Sequence, residues 1–133
     1  MITLFKNGMI WEQDHFCKKD MVVEDERITV IGVVPEGFVC DKIFDVEGKY
    51  PGIIDCHAHV TMVGGDHHMA VFFSENTAEL TMEGVINCER MVSHGITTAR
   101  DCGGKYMETL AIRDFIRNGK IKGPRLLCSG TPI

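Results

Sequence analysis

The 133-residue chain has no surplus of positive charge: 14 Lys and Arg stand against 19 Asp and Glu, for a formal net charge of −5. A nucleic-acid binder needs a basic face to meet phosphate, so that class is not expected. No run of about 18 or more apolar residues occurs, and no transmembrane helix is expected. The opening "MITLFKNGMIWEQD" lacks a basic segment followed by an apolar one, the mark of a signal peptide. No two of the six cysteines (Cys17, Cys40, Cys56, Cys88, Cys102 and Cys128) are separated by only two residues, so neither a thiolate zinc site nor a redox pair is signalled. Several lie in apolar runs, where free cysteine acts as a small hydrophobe, and reduced core thiols in a cytoplasmic protein are the expectation.

What is present is a globular composition, 44% apolar and 25% charged, in a length that suits one ordinary domain or a small domain plus part of a larger one. Residues 1–50 read as short strands and turns. Asn7-Gly8 between two apolar runs predicts a hairpin, and Asp25-Glu26 predicts a second, looser turn, because Glu26 resists a positive φ. "KIFDVEGKYP" adds a strand and a Gly-containing turn. Strands at this spacing predict a small β-sandwich or meander.

The pattern changes over residues 51–133. "GIIDCHAHV" is an apolar, β-rich run, followed by a loop with Gly64-Gly65. Residues 78–94 read as a helix with Val85, Cys88 and Val92 on one face, Thr77 or Thr81 as its cap, and Gly95 at its end. "GITTARD" reads as a strand. "KYMETLAIRDFIRNG" reads as a helix that carries Leu110, Ala111, Ile112, Phe115 and Ile116 and closes at Gly119, and "PRLLCSG" reads as a third strand. This strand–helix alternation predicts an α/β arrangement of parallel strands with crossover helices. An eight-stranded closed barrel takes about 250 residues. After "SGTPI" the third strand would leave an apolar edge open, so the chain is expected to be a fragment, or one of two polypeptides that complete each other.

"PGIIDCHAHV" places His57 and His59 two residues apart at the end of the first apolar strand. Residues i and i+2 of a strand face one way, so the two imidazoles, about 6 to 7 Å apart along the chain, can converge on one metal ion. The C-terminal end of a parallel strand is where barrel enzymes build their sites. Asp55, one step deeper on the same face, could accept an imidazole N–H and fix its orientation. Two ligands alone fall short of the three or four that a stable site needs.

"GKYPGIIDCHAHV" after a β-rich N-terminal region resembles the start of the amidohydrolase superfamily of metal-dependent hydrolases. "HGITTARDCGG" and "GPRLLCSGTPI" resemble the second and third barrel strands of its branch with prolidase-like, Xaa-dipeptidase-like and imidazolonepropionase-like members. The resemblance covers nearly the whole chain. It implies the strands of a small β-sandwich, then the first β/α units of a (β/α)8 TIM-type barrel. It implies that His57 and His59 hold the more buried metal of a zinc pair, although one ion is also compatible with the residues. The remaining family parts, a bridging carboxylated lysine, two histidines and an aspartate general base, match no position here. One departure stands out: members usually have two apolar residues between the "GKY"-like turn and "PG", whereas Tyr50 meets Pro51 directly. The activity implied is hydrolysis of a C–N bond in a small substrate such as a dipeptide by metal-activated water, in a cytoplasmic protein that forms homo-oligomers. The rivals are a catalytically inactive N-terminal fragment or assembly subunit that needs a second polypeptide, and a non-enzymatic scaffold that keeps the fold.

Among the other candidates, His67 and His68 are expected in the loop after the first strand, in contact with substrate or solvent. His94 suits a helix C-terminus, and His15 a surface turn. Arg100-Asp101 reads as a structural ion pair at a strand end. "DCGGK" lacks phosphate-loop spacing, and Met62, Met69, Met82, Met91 and Met107 read as apolar filler.

Overall fold

The computed structural model describes residues 1–131, so the Pro132-Ile133 end of "SGTPI" lies outside the described residues. The chain divides into two compact units, Met1–Pro51 and the residues from Gly52 onward.

The first unit is a four-stranded sheet of β1 (Ile2–Glu12), β2 (His15–Glu24), β3 (Arg27–Gly32) and β4 (Lys42–Asp45) in the order β3-β2-β1-β4. The first three strands form an antiparallel meander, and β4 lies parallel to β1 on its other side. Leu4 and Val22, opposite each other on β1 and β2, are both buried. Such apolar cross-strand pairs are what stabilise a sheet.

The hairpin turn expected at Asn7-Gly8 does not form there. Strand β1 runs through both residues, and the ladder to β2 shifts register between Phe5 and Gly8. Asn7 takes φ +63° inside this bulge. Its backbone N–H donates to Asp20 Oδ1 at 3.0 Å and its side-chain amide to Asp45 Oδ1 at 3.1 Å. The Asn7 bond holds the Asp45 carboxyl below its usual pKa, helped by the backbone N–H of Glu47. A positive φ serves a bulge as readily as a turn, which is why the dipeptide misleads. The reversal comes at Gln13-Asp14, with φ +47° and +65°, the two-residue loop that matches strand twist. The Asp25-Glu26 turn is tighter than expected. Glu24 pairs with Arg27, and only Asp25 takes a positive φ, so Glu26 is spared the conformation it resists.

The second unit runs β5 (Ile53–Ala58), α1 (His68–Ser74), α2 (Thr77–Ser93), β6 (Ile96–Asp101), α3 (Glu108–Arg117) and β7 (Arg125–Cys128). Its strands form a parallel sheet in the order β5-β6-β7, so the α/β alternation holds. Helix α1 is additional to the expected elements. Asn76, not Thr77 or Thr81, caps α2. Its side chain accepts from the backbone N–H groups of Ala78 and Glu79, while Glu79 Oε2 accepts from the N–H of Asn76. This reciprocal box satisfies donors that a helix start otherwise leaves bare. Thr81 instead donates its hydroxyl to Thr77 O.

The buried face of α2 is Leu80, Gly84 and Cys88, an i, i+4, i+8 stripe, while Val92 is exposed. Gly84 permits the close approach: a Cβ there would collide with Ile112 Cδ1 and press on Thr61 Cγ2. The core behind the sheet is Val60, Cys88, Ala99, Ile112 and Leu126, with Ala58 and Cys128 packed against it. Of the six cysteines, all free, only Cys88 is buried, and Cys56 is exposed. Burial pushes the Cys88 thiol up to about 12 and that of Cys128 to about 11. Loss of solvation disfavours the thiolate, so both are inert packing groups.

Candidate metal centre

Strand β5 brings His57 to its penultimate position, and His59 follows immediately after its end. The two imidazoles come together: their ring centres lie 5.4 Å apart, tilted by 59°. Both line a cavity of about 800 Å³ with Arg100, Asp101, Leu127 and Ser129 among its other walls. The ladder between β5 and β6 is irregular from Asp55 to Ala58, where three steps on β5 match two on β6. Strict side-chain alternation therefore does not carry through from Asp55 to His57. Asp55 Oδ1 accepts the backbone N–H of His57 at 3.0 Å, a bond to the chain rather than to an imidazole. Bulges of this kind re-aim side chains beside functional sites.

The partner of the His59 ring is a backbone carbonyl. Nδ1 of His59 lies 2.9 Å from Gly103 O, so it carries the proton and donates. That fixes the tautomer and leaves the Nε2 lone pair free, the arrangement found behind metal-binding imidazoles. Two more bonds hold the same segment. Cys102 N–H donates to Ala58 O at 2.8 Å, and Val60 N–H donates to Asp101 Oδ1 at 3.1 Å. Residues 101–103 thus grip residues 58–60 on either side of His59. Gly103 takes φ +116°, a conformation natural to glycine.

Asp101 is fully buried, and its Oδ2 has no hydrogen-bond partner. It forms no ion pair with Arg100. Adjacent strand residues face opposite ways, so Arg100 is exposed while Asp101 turns inward. The position of Asp101 was open to inference from that alternation, once "ITTARD" was read as a strand with Ala99 buried. His67 and His68 do not sit in an open loop. They begin α1, with His68 Nδ1 2.8 Å from Gly65 O, and neither lines the cavity of His57 and His59. His94 is the C-cap of α2, its Nδ1 2.8 Å from Arg90 O. His15 is exposed beside the Gln13-Asp14 turn, its Nε2 3.1 Å from Cys17 Sγ.

As a donor set, two imidazoles with the tautomer of one fixed suit zinc or a similar divalent ion. Two donors would fill half of a four-coordinate shell, and among the described residues no group of three His, Cys, Asp or Glu side chains converges as a metal site. Nor, among those residues, is any helix long and apolar enough to cross a membrane.

Residues 49–133 match the family model described as "Amidohydrolase family". A dihydroorotase of Lactobacillus acidophilus is 39% identical over 61 residues, which are 44% of this chain and 14% of that protein. A prolidase solved with N-methylphosphonate-L-proline superposes with a TM-score of 0.76 at 26% identity, covering 98% of this chain and 32% of its own. A Xaa-Pro dipeptidase with bound methionine shares the fold at a TM-score of 0.76 and 20% identity, over 100% of this chain and 34% of its own. The chain therefore spans about a third of the length of these solved structures and less of the curated relative. A family model that takes in the histidine pair, the clamp around it and all three parallel strands settles the kinship: the chain belongs to the amidohydrolase family.

Proposed function

We propose that this chain supplies the first two metal ligands, His57 and His59, of a zinc-dependent enzyme that hydrolyses a C–N bond in a small substrate such as a dipeptide. On this reading residues 51–133, with strands β5, β6 and β7 and the crossover helices α2 and α3, are the opening strand–helix units of a (β/α)8-type barrel, and residues 1–50 belong to an accompanying β-sandwich. The remaining strands and ligands come from polypeptide outside this sequence. The observation that carries the reading is the geometry of His59: paired with His57 across 5.4 Å, it has Nδ1 committed to Gly103 O and Nε2 free. The prolidase and Xaa-Pro dipeptidase among the similar structures support a dipeptide as substrate class.

One or two zinc ions at such a site, when bound, would lower the pKa of water from about 15.7 to about 7 and polarise a carbonyl. The work of this chain's own residues is positional. His57 and His59 present nitrogen donors at the strand end, the Gly103 carbonyl holds the His59 proton on Nδ1, and Asp101 anchors the turn that follows. Asp55 tethers the backbone of His57 within the bulge.

The test is metal analysis and a dipeptide screen on the complete enzyme, this chain together with the polypeptide that supplies the remaining strands. Zinc bound at one or two equivalents, removable by chelation together with hydrolysis and restored with it, is the expected outcome. Hydrolysis that survives complete removal of metal would refute the reading.

A further inference from the structure

We propose that Arg100 is a recognition group for a carboxylate on the substrate; this rests on the hydrolase reading of the histidine site. Ala58 and Ala99 both pack on the core behind the sheet. Arg100, next to Ala99 on β6, turns to the other face, and it lines the same cavity as His57 and His59. Asp101, the nearest acid in sequence, is buried and bonded to Val60 N–H. The four ion pairs among the described residues leave Arg100 out, whereas Arg113, the other arginine of the cavity wall, bonds to Asp114. The Asp55 carboxylate is engaged by the backbone of His57.

An exposed guanidinium on the wall of the cavity that holds both histidines, with no carboxylate of the described residues paired to it, suits an anionic group of the substrate, and the planar fork of arginine matches the two oxygens of a carboxylate. The chain as a whole is acidic, at −5, so a local cation on the cavity wall is a departure from its surroundings. A carboxylate held at Arg100 would also set the distance from the substrate's charged end to the histidine pair, and so favour short substrates over long ones.

The experiment measures binding without turnover. The ligands are a dipeptide analogue whose amide is replaced by an aminomethylene link, as its C-terminal carboxylate and as its C-terminal carboxamide. Titration calorimetry on the metal-loaded complete enzyme is expected to show tighter binding of the carboxylate. Arg100→Met is expected to weaken the carboxylate form by at least about tenfold and leave the carboxamide form unchanged, the size of a lost charge-assisted hydrogen bond. Arg100→Lys is expected to recover part of the loss. Equal affinity of the unaltered protein for both forms, or a carboxylate preference that survives in Arg100→Met, overturns the proposal. The hydrolase reading is judged separately by turnover of the parent dipeptide. Arg100-dependent binding without hydrolysis overturns that reading and keeps the carboxylate site; hydrolysis with an Arg100-independent preference does the reverse.

Discussion

One ring nitrogen of His59 is committed to the Gly103 carbonyl, and the ring lines the cavity that His57 shares. If these nitrogens hold metal, neither ring is replaceable, because a shell that loses one of three or four ligands binds far more weakly. In the complete enzyme His57→Ala is expected to remove bound zinc and hydrolytic activity together, as read by elemental analysis and an activity assay on the same sample. Unchanged metal content with full activity would show that the imidazole is no ligand. A second expectation concerns the thiols. Burial raises Cys88 from an ordinary 9.0 to about 12 and Cys128 from 9.0 to about 11. Below pH 9 both states of the protein carry these groups protonated, and the fold keeps its full stability. Above it the unfolded chain ionises first, so stability is lost as pH rises from about 9 towards 12. Denaturant midpoints measured across that range are expected to fall less steeply in Cys88→Ala than in the unaltered chain; parallel curves would disprove the assignment.

At the scale of elements, the end of β6 acts on the end of β5. Asp101 Oδ1, the Cys102 N–H and the Gly103 carbonyl hold Val60, Ala58 and His59 respectively. Asp101→Ala would leave the buried Val60 N–H without its acceptor, at a cost of about 1–3 kcal/mol. Asp101→Asn keeps an oxygen for that bond and is expected to lose less. Chemical denaturation ranks the two, and equal losses would mean that the hydrogen bond is not what matters. Much of this arrangement was legible beforehand. "DCHAH" placed the two histidines together, and "GITTARD" and "PRLLC" placed the neighbouring strands, because apolar periodicity reports which elements must be buried. The clamp was not legible, since it depends on a bulge and on backbone groups far apart in sequence. Asn7-Gly8 misled for a related reason: local chemistry specifies a positive φ, but only the pairing partner decides between a turn and a bulge. Thr77 and Thr81 offer cap chemistry by residue type alone, whereas Asn76 with Glu79 three residues on spells the capping box.

At the scale of the whole molecule, the helix-covered side of the parallel sheet is closed and the other side is open. Leu127, next to core Leu126 and so on the open side, is exposed at 57%, and on the outer strand β5 Ile53 and Ile54 are exposed at 58 and 65%. The strand order β5-β6-β7 leaves both outer strands of this sheet without a partner among the described residues. Parallel sheets are found covered on both faces, because their strands are apolar on both. The histidine pair, meanwhile, has no third ligand among those residues. Both features predict the behaviour of the 133-residue chain in isolation. It is expected to bind a hydrophobic dye such as ANS, to self-associate, and to hydrolyse no dipeptide when zinc is supplied. Size-exclusion chromatography with light scattering, dye fluorescence and a zinc-supplemented assay test this together. Self-association without turnover is the expected result. Robust hydrolysis by a monomeric chain that ignores the dye would mean that the site is completed from within this sequence and that the open face is not an interior.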